Sequence, residues 1–511
     1  MRQASRNMPD DQMVPEGWVS SCLGEVAEVV MGNSPPGDSY NETGLGVPLI
    51  NGPVEFSKDA LGPTVRSKFT TKPTKMCSAG DLLVCVRGAT AGRTNVADFD
   101  ACIGRGVALV RARIDQSYVN RFVIHSRRKL LAKGTGTTFP NISRTELCKL
   151  PIPVPPLNEQ RRIVAKIEAL FARSRRAKEA LDAIPPLLDR LRQSILAAAF
   201  RGDLTADWRA QHPDVEPADK LLERIRAERR QRWEEAELAK MAAKGKVPKN
   251  DKWKGKYTEP AFPTRPDTPR AANFCDAEQT GWSEILLDGA CDPERGIPYG
   301  IVQTGPPTDG GIATVRCGDI KNFDIDVDGL KLVDHEIERK YIRTRLQGGE
   351  VLVAIRGTVG GTAVATGDMR GMNISREVAM VPVLTGLAPR FVMYLLASPA
   401  GGKILAGHTK GVAQRGVNLS DLRNFPVPLP TLVEQDAIVA RVESSLRKLD
   451  ALRAAVSRAA SELETLRASV LREAFEGRLV SQDANDKPVS SASSTSASEW
   501  TAESLRGSSP R

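Results

Sequence analysis

The sequence predicts an α+β chain made of two homologous mixed α/β domains, each followed by a long helix that pairs with the other. Three observations predict this. Residues 151–204 recur without a gap as residues 426–479, at a shift of 275, with 20 of 54 positions identical. Weaker echoes of the same repeat run through both halves upstream. Both repeated segments then carry apolar residues every seventh position, the mark of a paired helix.

In chain order, residues 1–14 lack the apolar run of a secretion leader and read as a disordered N-terminus. Residues 15–156 form the first domain. The upstream echoes define it: Gly17-Trp18 matches Gly281-Trp282, and GDLLVCVRGATAG from Gly80 matches GEVLVAIRGTVGG from Gly349. Ile103-Gly-Arg105 matches Ile374-Ser-Arg376. Arg121-Phe-Val matches Arg390-Phe-Val, and Asn141-Ile-Ser matches Asn418-Leu-Ser.

The first helix, residues 157–204, follows a lead-in that reads Pro151-Ile-Pro-Val-Pro-Pro-Leu-Asn-Glu159-Gln160. Proline favours extended chain and biases the residue before it away from helix. Glu159 then falls in the first turn, where the helix dipole favours negative charge. Ile167, Ser174, Leu181, Leu188 and Ile195 make one heptad stripe, and Leu170, Ala177, Ile184, Leu191 and Ala198 the other. Pro185-Pro186 interrupt this pattern and predict a kink or a break.

Residues 205–273 are a charged insert outside the repeat. Ala218 to Ala243 reads as an exposed helix, and the Lys- and Pro-rich stretch Lys244 to Arg270 as a linker. Residues 274–431 are the second domain and 432–480 the second helix, with its lead-in Pro426-Val-Pro-Leu-Pro-Thr-Leu-Val-Glu434-Gln435. Val442, Leu449, Val456, Leu463 and Val470 form its first stripe; Ser445, Leu452, Ala459, Leu466 and Glu473 form a partial second. Matched registers allow the two helices to bury both stripes together. A helix of some 40 residues is about 60 Å long, too long for one small domain to cover. Residues 481–511 are Ser-rich and expected to be disordered.

Net charge is +10 with a pI near 9.2, which favours a polyanionic partner such as nucleic acid. Eight cysteines stand without a CxxC pair and four histidines are isolated, so no zinc site is expected. Scattered thiols without a leader suggest the reducing cytoplasm. No apolar run reaches the roughly 18 residues of a membrane span.

Catalytic signatures are missing. Gly245-Lys246-Val247, Gly255-Lys256-Tyr257 and Gly402-Lys403-Ile404 all lack the Ser or Thr that ends a phosphate-binding loop. Ser34-Pro35-Pro36-Gly37 lacks the aromatic of amino-methylating enzymes and reads as a turn. Glu338-Arg339-Lys340 has no partner carboxylate in sequence and reads as a solvated charge run. The chain is expected to be a binder and scaffold, with no catalytic residue, metal or cofactor of its own.

Two domains, each leading through Pro-Leu-x-Glu-Gln or its close variant into a long helix that ends Ala-Phe-x-Gly-x-Leu, resemble the specificity (S) subunits of type I restriction–modification systems. The resemblance covers residues 15–480; Pro185-Pro186 depart from it. It implies two target-recognition domains separated by an antiparallel coiled coil with pseudo-two-fold symmetry, reading a split sequence in double-stranded DNA. It implies two methylation (M) subunits carrying S-adenosylmethionine, and restriction (R) subunits that use ATP and Mg. Adenine methylation and ATP-dependent cleavage would belong to those partners. Alternatives are the specificity module of another restriction–methylation enzyme, or a coiled-coil scaffold that binds no DNA.

On this reading the expected DNA contacts are residues in polar or Gly-rich loops. They are Arg87, Arg93 and Arg356 after apolar strands; Arg105 and Arg376 at matching positions; and Lys133, Thr135, Thr137 and Thr138 with their counterparts Lys410, Gln414 and Arg415. Being shared, they suit phosphate contacts better than base discrimination. Ordinary turns and internal salt bridges are the competing readings. Leu157, Glu159, Gln160, Leu432, Glu434 and Gln435 are expected either to touch the methylation subunits or to build the helix lead-in. Trp18 and Trp282 are expected in the domain cores.

Overall fold

The structure, a computed structural model, describes residues 14–133, 141–260, 274, 280–357, 360–407, 416–487 and 489. The chain divides into two compact units, Met1–Asp182 with Val456–Arg511, and Ala183–Ala455.

In the first unit, an antiparallel sheet runs in the order Ala27–Met31, Val107–Ala112, Leu82–Cys85, Thr94–Val96. A second sheet is mixed: Val47–Ile50 pairs in parallel with Ala101–Ile103. Leu82, Val84, Ala108 and Val110 join a core with the helix Gln116–His125, while Leu83, Cys85, Val107 and Leu109 face a smaller core against Ile50 and Ile103. Burial on both faces explains why these strands read as continuous apolar runs.

The second unit repeats the plan. Val351–Ala354 pairs with Thr362–Val364 and Val378–Val381, and Ile312–Val315 pairs in parallel with Asn373–Ile374. One sequence match needs correction. Ile142 N–H donates to Val86 O and Val417 N–H to Ile355 O, both at 2.9 Å. The equivalent residues are therefore Ile142 and Val417, with helix caps at Ser143 and Asn418. The shift of 275 reaches back to this point, and Asn141 does not correspond to Asn418.

Each Pro-rich lead-in is an edge strand. Pro151–Val154 pairs with Val19–Cys22, and Pro426–Leu429 with Ser283–Leu286. Proline is tolerated there because an edge strand has one side without a ladder partner. The long helices Leu157–Phe200 and Leu432–Phe475 follow, 44 residues each. They pair antiparallel. In the first unit the Arg467 guanidinium lies over the Phe171 ring, 4.8 Å from its centroid. In the second, Arg453 pairs with Asp189 and Arg441 donates to Leu204 O.

Pro185 and Pro186 neither end nor divide the first helix. Two N–H groups are lost, but Ile184 and Leu188 pack into the core of the second unit and hold the turn. The heptad expectation holds for one stripe only. Val442 and Leu449 are buried, whereas Leu191, Leu452 and Leu466 are 48%, 52% and 57% exposed.

The helix ends explain the repeated Ala-Phe. Ala474 and Phe475 enter the core of the first unit, where Phe475 meets Tyr118 and Phe122 edge-on at 5.4 and 5.1 Å. Ala199 and Phe200 enter the core of the second, with Phe200 edge-on to Phe391 at 5.3 Å. Each domain thus holds the start of its own helix and the end of the other.

The insert is less exposed than its composition predicts. Its helix, Ala218–Ala243, buries Ala218, Leu221 and Ile225 and pairs Arg232 with Asp292 at 3.0 Å and Lys240 with Glu294 at 3.1 Å. A Cβ on Gly386 would come within 2.4 Å of Ile225, so glycine permits this close approach. Part of the expected linker folds back as Asp251–Lys256 and stacks Trp253 near Trp233. The expected tail begins with docked chain: Asp486 pairs with Arg162 at 2.6 Å, and Val489 packs on the core.

Phe475→Ala should lower the stability of the first unit by about 3–5 kcal/mol, as a large-to-small core substitution does. Leu466→Ala, on the exposed stripe, should stay within about 0.5 kcal/mol. Urea unfolding followed by limited proteolysis would distinguish them.

Candidate nucleic-acid interface

The site rests on a fixed junction between each domain and its helix. Trp18 Nε1 donates to Glu159 Oε2 at 3.0 Å, and Trp282 Nε1 to Glu434 Oε2 at 2.9 Å. Both tryptophans and both glutamates are buried. The following glutamine ties down the domain's own helix. Gln160 Oε1 accepts from the N–H of Asp115, which caps Gln116–His125, and Gln435 Oε1 accepts from the N–H of Ala388, which caps Pro389–Ala397. Each glutamine amide also donates back to its own lead-in, to Pro155 O and Pro430 O. These four side chains serve the interior. Leu157 is half-buried and Leu432 is 37% exposed, so only these two of the six expected partner contacts reach the surface.

The two glutamates differ. Glu434 Oε1 accepts from Thr205 at 2.7 Å and Arg209 at 2.6 Å. Continuing the 275-residue shift puts Val480 and Ala484 at those positions in the other copy, and Glu159 Oε1 is buried with no partner among the described residues. Desolvation raises the Glu159 carboxyl above its usual range, against the Trp18 hydrogen bond, which lowers it.

Most of the described candidates for DNA contact converge on one edge of each domain. Val86 is the hub in the first: its N–H donates to Gly106 O and its carbonyl accepts from Ile142, both at 2.9 Å. That brings Arg87, Arg105 and the chain after residue 140 together. In the second, Ile355 N–H donates to Glu377 O at 2.8 Å and its carbonyl accepts from Val417. Arg356, Arg376 and the chain from Gly416 onward meet in the same way. Arg87, Arg105, Arg356 and Arg376 are all exposed. Gly357 has φ +73°, and a Cβ there would lie 2.8 Å from Cys317 Sγ, so only glycine fits this turn comfortably.

Arg93 departs from the group. It is half-buried and its guanidinium donates to Ser57 O at 3.2 Å, an internal contact. Thr135, Thr137, Thr138, Lys410, Gln414 and Arg415 lie outside the described residues, as does the side chain of Lys133.

In the second domain the edge opens into a cleft lined by Gln303, Arg316, Lys331, Ser375, Arg376 and Glu377. Sequence reasoning missed Gln303, Arg316 and Lys331. Arg316 and Lys331 sit at or beside the ends of strands of four and three residues and Gln303 near the isolated bridge at Ile301, pairings too short to give a pattern in one sequence. Glu338 was also misread. It is buried, and its carboxylate accepts from Arg345 at 2.6 Å and Asn373 at 2.8 Å, so it is no solvated charge run. Those donors hold its carboxyl below the usual range, with Arg345 the larger cause. Burial pushes the Cys77 and Cys85 thiols up to about 11, away from thiolate chemistry. Among the described residues no cluster of metal-ligating side chains occurs, and no helix is long and apolar enough to cross a membrane.

The family model described as "Type I restriction modification DNA specificity domain" matches residues 15–184 and 319–455. The chain belongs to this family. Each match takes in one basic edge and part of one long helix. The chain is 27% identical to the EcoBI specificity subunit of a type I restriction enzyme from Escherichia coli, over 84% of this chain and 79% of that one. It is 35% identical to the EcoDI specificity subunit, also from Escherichia coli, over 27% of this chain and 32% of that one. Two solved structures share the fold. One is a chain from work on assembly and conformational transition of the type I R-M system, with TM-score 0.56, 21% identity, and 91% of this chain and 99% of that chain covered. The other is the HsdS subunit from Thermoanaerobacter tengcongensis, with TM-score 0.53, 19% identity, and 92% and 99% covered. For a specificity-family chain the paired Trp–Glu junctions acquire a purpose: they fix each recognition domain to the helix that leaves it.

The unequal glutamates yield a paired test. Glu434→Gln leaves Arg209 without its carboxylate and should cost about 3 kcal/mol or more. Glu159→Gln should cost much less. A raised folded pKa means the folded state binds more protons, so the Glu159 contribution to stability falls as pH rises from the ordinary carboxylate range through its folded pKa. Glu159→Gln should flatten that slope in urea midpoints measured against pH; an unchanged slope would contradict the assignment.

Proposed function

We propose that this chain is the DNA-reading subunit of a type I restriction–modification complex, and that each domain presents its Val86- or Ile355-centred edge to one half of a split target. The observation that carries the reading is the convergence, in both domains, of matched arginines on the same edge. Arg87 and Arg105 occupy it in one, Arg356 and Arg376 in the other. Exposed arginines presented from turns, three of them beside a glycine, suit phosphate contact. The candidates Lys133, Thr135, Thr137 and Thr138 precede Ile142 in the chain, and Lys410, Gln414 and Arg415 precede Val417, the two residues that hydrogen-bond to this edge.

Chemistry is assigned to partners. Two methylation subunits would carry S-adenosylmethionine and flip the target adenine out of the stack. Restriction subunits would use ATP and Mg. Leu187, Leu191 and Leu452 support docking along the helices: they are about half exposed, and the Asp189–Arg453 pair sets them at one level of the helix pair. Apolar side chains clustered on a helical surface suit a partner's apolar face.

Duplex DNA binding by the chain co-expressed with its methylation subunits should weaken steeply with salt. Arg105→Ala with Arg376→Ala should lower the log–log salt slope by about 1 per lost phosphate contact, for every sequence alike. Methylome sequencing of the host with and without the gene should reveal loss of one bipartite adenine mark. An unchanged methylome together with salt-independent binding would reject the proposal.

A further inference from the structure

The two basic edges can be compared residue by residue, because the same backbone contacts recur in both. In the first domain Ile50 pairs with Ile103, and Gly104 N–H donates to Ile50 O. In the second Val315 pairs with Ile374, and Ser375 N–H donates to Val315 O. Asn51 and Arg316 are therefore equivalent. Asn33 N–H donates to Ile103 O as Ile301 N–H does to Ile374 O, which makes Pro35 the counterpart of Gln303. Leu49 N–H donates to Lys68 O, and Thr314 faces Lys331. Lys68 and Lys331 thus match, as do Arg105 and Arg376.

The edge therefore carries two classes of position. Arginine and lysine recur at the matched sites 105/376 and 68/331. Between them the side chains diverge: Asn51 against Arg316, Ser34 against Val302, Pro35 against Gln303, and Gly106 against Glu377. The divergence is built into the packing. In the first domain a Cβ on Gly104 would come 2.0 Å from Asn51 Oδ1, so this glycine makes room for the asparagine side chain, and one on Gly106 would come 2.5 Å from the Asn51 backbone carbonyl. In the second domain Ser375 and Glu377 fill the same places. Arg316 is oriented by Asp319, which accepts from its Nε at 3.1 Å and its Nη2 at 3.0 Å. Lys331 Nζ donates to Thr304 Oγ1 at 2.8 Å on the wall opposite.

Resting on the DNA-reading assignment above, we propose that Gln303 and Arg316 discriminate bases in one half-target and that Asn51 does so in the other, while Arg105 and Arg376 hold phosphate. The chemistry fits base edges. Glutamine and asparagine can pair bidentately with adenine, and arginine with guanine, in the major groove. An arginine pre-oriented by a carboxylate loses less freedom on pairing. Identical readers would give two identical half-targets, and the divergent set gives two different ones.

The test is selection from a randomised DNA duplex library by the full chain co-expressed with its methylation subunits, followed by sequencing of the bound pool. Gln303→Ala and Arg316→Gln should each relax preference at one position of one half-target by roughly 5- to 150-fold, leaving the other half unchanged. Asn51→Ala should do so in the opposite half. Arg376→Ala should weaken binding to all sequences without changing the selected motif. Gln303 is exposed, so its variant checks the proposal free of folding effects. Uniform weakening by Gln303→Ala and Arg316→Gln, or no change, would overturn this assignment while leaving DNA reading intact. A wild-type complex that selects no split sequence would instead defeat the underlying reading.

Discussion

A buried glutamate in the first turn of each long helix, accepting the indole N–H of the domain behind it, is the constraint from which the rest of the molecule is organised. Trp18–Glu159 and Trp282–Glu434 lock a rigid aromatic to a rigid helix. A buried carboxylate is costly unless hydrogen-bonded, so the contact holds one geometry strongly. The adjacent glutamine extends the lock to the N-terminus of a second helix in the domain. A recognition surface mounted on such a junction cannot swivel freely against its helix.

The second copy of the junction is better satisfied than the first. Thr205 and Arg209 complete Glu434, whereas Glu159 keeps one oxygen without a donor among the described residues. The insert that follows the first helix supplies those donors and then lies on the second domain through Leu221 and Ile225. Duplication thus produced two equal frameworks, and the insert made their energetics unequal. The same division holds at the basic edges, where the backbone pattern is common and the side chains around Asn51 and Arg316 are not.

Much of the architecture was legible because it is written locally. Heptad spacing, the Pro-rich lead-ins and the Ala-Phe endings are patterns of neighbouring residues, and a repeat makes them visible twice. Asn141 resembles Asn418 in its short motif, but the backbone contacts of Ile142 and Val417 set the register two residues away. Pro185-Pro186 predicted a kink or a break because helix propensity is local, while the burial of Leu188 that keeps the helix undivided is not. Glu338 read as solvated because its partners, Arg345 and Asn373, come from other elements.

By itself the sequence determined two homologous domains, two long helices of matched register, an insert between them and the absence of familiar catalytic signatures. All of these are properties of order and spacing along the chain. Tertiary structure decided which glutamate is left short of a donor among the described residues, which heptad stripe faces solvent, and that Arg87 and Arg105 share one edge as Arg356 and Arg376 share the other. Those outcomes depend on strand register and on contacts across more than a hundred residues, as between Trp18 and Glu159, and no one-dimensional pattern encodes the pairing of groups so far apart.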